Sequence, residues 1–123
     1  MKEKSTIALV DDERNILTSL RLALEAEGYK VLVANDGDVG LQTAIDSKPD
    51  IILLDIIMPK MDGLSMLRML RENNWGKTAK VIIITNLSNP LSETQAKEMK
   101  VDDYIIKTDW SLADIILKIK KIS

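Results

Sequence analysis

The stretch IILLD, residues 51–55, places four consecutive apolar side chains directly before one carboxylate. A short run that is apolar on both faces is typical of a central strand in a parallel sheet, because helices cover such a sheet on both sides. Comparable runs occur at TIALV (Thr6–Val10) and KVIII (Lys80–Ile84). These patterns predict a parallel sheet whose interior strands include Ile51–Leu54.

Amphipathic stretches separate the apolar runs, and their apolar residues recur at helical spacing. We predict strands at Thr6–Val10, Lys30–Ala34, Ile51–Leu54, Lys80–Ile84 and Asp103–Ile106, and helices at Arg14–Glu27, Val39–Ser47, Gly63–Asn73, Pro90–Lys100 and Ser111–Ile122. Asn89 before Pro90 is expected to cap the fourth helix. Gly28 lies where the C-terminal cap of the first helix is expected.

Five strand–helix units in succession predict an α/β protein with helices on both faces of one sheet. Right-handed crossovers leave two common topologies, a flavodoxin-like fold and half of a Rossmann fold. The chain contains neither G-x-G-x-x-G after the first strand nor GxxxxGK[ST] anywhere. We therefore expect a flavodoxin-like, doubly wound (βα)5 fold with strand order 2-1-3-4-5, forming a single domain over residues 1–123.

The composition excludes several classes of function. The chain has no histidine and no cysteine, which excludes catalytic triads, disulfides and zinc sites built on those residues. Its 17 basic and 19 acidic residues are nearly balanced, so no direct binding of nucleic acid is expected. No apolar run reaches the length of a membrane helix, so we predict no membrane insertion and a cytoplasmic location.

Polar residues follow the predicted strands at the end where each strand finishes. Asp11 and Asp12 follow the first strand, Asp55 the third, and Lys107 the fifth, while Thr85 follows the fourth apolar run. Because the carboxyl ends of parallel strands meet at one edge of the sheet, these five side chains are expected to converge there. The sequence therefore predicts a polar pocket at this edge.

The predicted pocket suits phosphoryl transfer. Two carboxylates about 4 Å apart repel each other by roughly 4 kcal/mol at an effective dielectric constant of about 20, so the cluster needs a cation or a bound proton. Oxygen ligands favour Mg²⁺, with Mn²⁺ as an alternative ion, and we expect Asp11 and Asp12 to hold it. Asp55 is then the expected nucleophile, forming an aspartyl phosphate. Lys107 would neutralise charge on the phosphoryl oxygens, and Thr85 would offer a hydroxyl group.

Each of these residues also has a structural explanation when taken singly. Asp12 could cap the first helix, Thr85 could be an ordinary strand residue, and Lys107 could be a surface charge. Tyr104 could be a static aromatic side chain of the core. These explanations do not account for the position of all the polar residues at strand ends.

The chain resembles the response-regulator receiver family over nearly its whole length. Four motifs carry the resemblance: Asp11-Asp12, LLDIIMPKMDG (Leu53–Gly63), IIITN (Ile82–Asn86) and VDDYIIK (Val101–Lys107). Each motif is weak by itself, but the four occur in the order and at the spacing of the family. The resemblance implies a phosphorylation switch of two-component signalling.

The resemblance also implies roles for particular residues. Asp12, Asp55 and the backbone carbonyl of Ile57 would bind Mg²⁺ directly, and Asp11 would bind through water. Phosphorylation would draw Thr85 toward the phosphoryl group, and Tyr104 would turn inward.

Partners follow from the same resemblance. The phosphoryl donor would be a sensor histidine kinase or a phosphotransfer protein. The output would be a changed surface on the fourth helix, the fifth strand and the fifth helix, which binds a downstream protein of unknown identity. A phosphorylation-dependent homodimer is a further option.

Three positions depart from the family pattern. Thr108 replaces the usual proline, so the Lys107–Thr108 peptide is either trans or held cis by its context. Asn86 is larger than the residue that often follows the threonine at the position of Thr85. It is expected to narrow access to the phosphoryl group. Ile57 and Leu87 flank the site with apolar side chains that cannot position water, which predicts slow self-dephosphorylation.

Three functions remain in competition at this point. The first is a signalling switch, either a stand-alone protein or part of a larger one, which phosphorylates and dephosphorylates itself without being an enzyme in the ordinary sense. The second is a flavodoxin-like FMN protein, although the sequence Asp-Asp-Glu after the first strand would repel the FMN phosphate. The third is a metal-dependent phosphatase with an aspartyl-phosphate intermediate.

Overall fold

The computed structural model describes residues 5–58, 61–86 and 89–122. Strands alternate with helices throughout: β1 Thr6–Val10, α1 Arg14–Ala26, β2 Lys30–Ala34, α2 Gly37–Ser47, β3 Ile51–Leu54, α3 Gly63–Glu72, β4 Val81–Thr85, α4 Pro90–Glu98, β5 Asp103–Ile106 and α5 Leu112–Ile122. Short 3-10 turns lie at Gly76–Thr78 and Lys107–Asp109. The five strands form one parallel sheet in the order β2-β1-β3-β4-β5, which confirms the predicted fold.

Strand β3 lies in the centre of the sheet, with all four of its side chains buried. Its neighbours pair in register, with Ile7 opposite Ile51 and Val81 opposite Ile52. One layer of the core lies between the sheet and helices α2, α3 and α4, and the other lies between the sheet and helices α1 and α5. Burial on both faces explains the continuous apolar composition of the inner strands.

The helix ends follow the local capping chemistry. Asn89 caps α4, with Pro90 as its first residue, as predicted. Helix α2 begins at Gly37, two residues before the predicted start, because the Asp36 side chain accepts a hydrogen bond from the Val39 backbone N–H. Gly28 has a φ of +95°, the left-handed conformation expected after a helix.

The described residues also settle the conformation of the Lys107–Thr108 peptide. No peptide bond is cis there, so the Lys107–Thr108 peptide is trans. No helix in this part of the chain combines the length and apolar character needed to cross a membrane.

Arg71 joins three parts of the chain through its guanidinium group. It donates to the carbonyl oxygens of Met99 (2.8 Å), Gly76 (2.7 Å), Ala79 (2.8 Å) and Lys100 (3.1 Å). Burial lowers the pKa of Arg71, and the charge of Asp102 opposes that change. The side chain thus ties the last turn of α3 to the segment before β4 and to the end of α4.

Candidate functional site

Asp55 lies directly beyond the central strand and is 4% exposed. Its backbone N–H donates to the carbonyl oxygen of Val10, which fixes the residue against β1. One carboxylate oxygen, Oδ1, accepts from the Ile57 backbone N–H at 3.2 Å, and Oδ2 lies 3.1 Å from Lys107 Nζ. The start of α3 packs closely against the Asp55 backbone, because a Cβ at Gly63 would collide with the Asp55 carbonyl oxygen.

Asp11 follows β1 and is also buried, with 5% of its surface exposed. Its Oδ1 accepts from the Glu13 backbone N–H at 2.9 Å, and its Oδ2 lies 2.7 Å from Lys107 Nζ. The pKa of Asp11 is raised from 3.8 to about 6. Burial is the main cause and the charge of Asp55 contributes, whereas the bonds from Lys107 and Glu13 oppose the rise. The ionised form of Asp11 is therefore less favourable in the folded protein than in water.

Lys107 follows β5, and its side chain is only 6% exposed. Its ammonium group contacts Asp11, Asp55 and Glu13, the last at 3.3 Å. Burial lowers the pKa of Lys107, but the hydrogen bonds and charges of Asp11 and Asp55 outweigh burial and raise the pKa overall. The ammonium group of Lys107 therefore lies between the carboxylates of Asp11 and Asp55, as the sequence predicted.

Asp12 completes a cluster that can hold a metal ion. One carboxylate oxygen from each of Asp11, Asp12 and Asp55 lies within 4.8 Å of the others. Asp12 is exposed, whereas the other two are buried, so the cluster opens to solvent on one side. Three carboxylate oxygens without nitrogen or sulfur ligands fit a hard cation such as Mg²⁺, which usually keeps several water ligands. Asp12 is not the N-cap of α1, because Glu13 occupies that position.

The structure also describes the three other residues that were predicted for the site. Ile57 donates its N–H to Asp55, and its side chain is 54% exposed. Thr85 is the last residue of β4 and is fully buried. Tyr104, on β5, is 9% exposed and belongs to the core layer that includes Ala96 of α4. Its pKa is raised by burial, and by the charges of Glu93 and Asp55.

Two residues whose contacts the sequence did not predict also reach the site. The Glu13 side chain accepts from Lys107 and, at 3.4 Å, from the Asn86 amide. Glu13 directly follows the acidic pair in the sequence, and Asn86 directly follows Thr85. Their mutual contact has no signal in the sequence, because the two residues are 73 positions apart.

The family model described as "Response regulator receiver domain" matches residues 7–120. The chain belongs to the response-regulator receiver family. The resemblance seen in the four motifs is thereby confirmed.

Curated relatives of this receiver domain are transcriptional regulators and response regulators. It is 34% identical to the response regulator ArlR of Staphylococcus saprophyticus over 93% of this chain and 50% of that protein. It is also 34% identical to the alkaline phosphatase synthesis transcriptional regulatory protein PhoP of Bacillus subtilis, over 94% of this chain and 47% of that protein. The chain therefore spans about half the length of these relatives.

Solved structures have the same fold. A CheY-like receiver domain protein from Methanospirillum hungatei has a TM-score of 0.90 and 28% identity, covering 97% of this chain and 93% of that one. The chemotaxis protein CheY4 of Vibrio cholerae has a TM-score of 0.89 at 22% identity, covering 98% of this chain and 99% of that one.

Membership of the family defines the general activity. Receiver domains are phosphoacceptor switches of two-component systems that receive phosphate from histidine kinases, rather than enzymes in the ordinary sense. This finding supports the signalling hypothesis against the flavin-binding and phosphatase alternatives. The acidic pocket at which receiver domains bind Mg²⁺ corresponds here to the cluster of Asp11, Asp12 and Asp55.

Proposed function

We propose that this receiver domain accepts a phosphoryl group on Asp55 in a Mg²⁺-dependent reaction, with a sensor histidine kinase or a phosphotransfer protein as donor. The observation that carries the proposal is the contact between the buried carboxylates of Asp55 and Asp11 and the ammonium group of Lys107. Buried carboxylates are rare unless they are paired, and the exposed Asp12 beside this pair leaves an open side for a ligand.

The proposed reaction forms one bond and breaks one. An oxygen of the Asp55 carboxylate attacks phosphorus, and the bond from phosphorus to the donor breaks, with its electron pair leaving on the donor. Lys107 lies 3.1 Å from Asp55 Oδ2, where its charge stabilises negative oxygens of the transferring group. The product is an aspartyl phosphate.

In the proposal, direct metal ligands are the carboxylates of Asp12 and Asp55 and the backbone carbonyl of Ile57, and Asp11 acts through water. The bound ion, Mg²⁺ or alternatively Mn²⁺, would supply positive charge for the phosphoryl oxygens and relieve repulsion among the three acids. The cluster geometry supports a single ion shared by these carboxylates.

The proposed output depends on Thr85 and Tyr104. Thr85 ends β4 at the edge of the sheet where Asp55 lies, so its hydroxyl is suited to move toward a phosphoryl oxygen. Tyr104 is on the neighbouring strand β5 and packs in the same core layer as α4. A change in these two side chains would alter the surface of α4, β5 and α5, where we propose that a downstream protein or a second copy of the chain binds.

Phosphorylation by a small donor tests the proposed function. Incubation with acetyl phosphate and Mg²⁺ is expected to add one phosphoryl group to the chain, measured by intact mass under mildly acidic conditions. Replacing Mg²⁺ by EDTA should prevent the addition, because the three carboxylates would keep their mutual repulsion, and Mn²⁺ should restore it. Equal addition with and without a divalent ion would contradict the proposed metal dependence.

The lifetime of the phosphoryl group gives a second prediction. Ile57 presents an apolar side chain, 54% exposed, two residues from Asp55. An Ile57→Asn change would supply an amide that can hold water, so we expect dephosphorylation to be roughly fivefold faster, the scale of one hydrogen bond of about 1 kcal/mol. Decay of the purified phosphoprotein measures this rate.

A matched control is Leu22→Asn, which changes an exposed apolar residue of α1 with 64% of its surface exposed. Its decay rate should equal that of the wild type. An unchanged lifetime in Ile57→Asn would contradict the proposed slow self-dephosphorylation. Leu87, the other predicted apolar neighbour, lies outside the described residues.

A further inference from the structure

The ammonium group of Lys107 has three hydrogen-bond donors and three carboxylate neighbours. Its Nζ lies 2.7 Å from Asp11 Oδ2, 3.1 Å from Asp55 Oδ2 and 3.3 Å from Glu13 Oε1. With these three acceptors in place, an arriving phosphoryl oxygen can bind Lys107 only by displacing one of them.

Glu13 is the acceptor that is most easily displaced. Its side chain is 48% exposed, whereas the side chains of Asp11 and Asp55 are 7% and 5% exposed. Its contact with Lys107 is also the longest of the three. The other two carboxylates are further held by backbone N–H groups, from Glu13 itself and from Ile57.

The Glu13 side chain also links two other parts of the site. It extends from the loop after β1 to Lys107 after β5, and the same Oε1 atom accepts from the Asn86 amide after β4. Glu13 is the N-cap residue of α1, but its side chain makes no capping hydrogen bond. Its orientation is therefore accounted for by Lys107 and Asn86 rather than by the helix.

We propose that Glu13 is a positioning residue that holds the third donor of Lys107 and must release it before a phosphoryl oxygen can bind there. The inference rests on the proposed function, because it concerns the approach of the donor to Asp55. Glu13 in this role slows the reaction with negatively charged donors, both by occupying Lys107 and by repelling the incoming group.

The charge of Glu13 can be removed without changing the shape of its side chain. In Glu13→Gln, phosphorylation by acetyl phosphate at saturating Mg²⁺ is expected to be about fivefold faster, the upper scale for a charge pair that is exposed to solvent. The gain should be smaller with phosphoramidate, which carries less negative charge. It should also shrink as salt is added, because mobile ions screen exposed charges.

Glu25→Gln is the matched control. Glu25 lies on α1, where it pairs with the exposed Arg21, so the variant has the same change in net charge outside the site. Its initial rate should equal that of the wild type with both donors. Saturating Mg²⁺ in every assay separates the expected effect from a change in metal affinity.

The outcomes separate the inference from the proposed function. If the wild type takes up no phosphoryl group under any of these conditions, the proposed function fails. If the wild type is phosphorylated but Glu13→Gln reacts no faster than Glu25→Gln, the role of Glu13 is wrong. An equal gain with both donors, independent of salt, would likewise contradict a role that depends on charge.

Discussion

Asp55→Asn is expected to take up no phosphoryl group from acetyl phosphate in the presence of Mg²⁺, whereas the wild type takes up one. A carboxamide is a far weaker nucleophile than a carboxylate, but it has nearly the same size and shape. Its single oxygen can still accept a hydrogen bond from either Ile57 or Lys107, which contact different oxygens of Asp55. The variant should therefore keep its fold and lose the reaction. Intact mass measures the uptake, and peptide mapping of the wild type locates the modified residue.

Asp62→Asn is the matched control for this experiment. Asp62 caps α3 through bonds from Ser65, and asparagine is an equally favourable capping residue. The control should be phosphorylated at the wild-type rate. Normal uptake by Asp55→Asn, on Asp11 or Asp12 for example, would show that the choice of acceptor is wrong.

Asp11→Asn is expected to stabilise the metal-free protein by roughly 2–3 kcal/mol at about pH 7.5, because folding disfavours the ionised form of this carboxyl group. The pKa of Asp11 is raised from 3.8 to about 6 in the folded protein, mainly by burial. The folded state therefore binds more protons than the unfolded state between these pKa values. Its stability falls as the pH rises through that window, and the loss is complete above about pH 6.

Asparagine resembles the protonated form, so the gain in Asp11→Asn should be small at about pH 4 and grow as the pH rises. Urea unfolding in EDTA across this range measures the difference. Asp46→Asn serves as the control, because Asp46 is exposed and accepts a hydrogen bond from the Gln42 side chain on the same helix. A gain that did not change with pH would contradict the assignment of the effect to Asp11 ionisation.

The sheet and much of the site followed from local sequence patterns. Continuous apolar runs identified the inner strands, because strands buried on both faces need apolar side chains along their whole length. The same reasoning located Asp11, Asp55 and Lys107 at one edge, where the structure brings them into contact. The helix ends were less accurate: α2 begins earlier than predicted because Asp36 caps it.

Contacts that depend on long-range side-chain direction could not be predicted in the same way. Glu13 contacts Lys107 although the two residues are 94 positions apart in the sequence. The residue type alone does not indicate the direction of the Glu13 side chain. The partners of Arg71 are backbone carbonyls, which any residue type supplies, so the sequence pattern contains no trace of them. The metal ligands, the acceptor and the switch residues remain predictions for the experiments above.

Arg71 has a consequence for how α4 can respond to events at the pocket. Its bonds to the carbonyls of Met99 and Lys100 anchor the C-terminal end of that helix to α3, while the helix begins at Pro90, five residues after Thr85. A helix that is held at one end can tilt only about that end. Any tilt of α4 is therefore expected to be smallest at Met99 and largest at Pro90, where the helix begins.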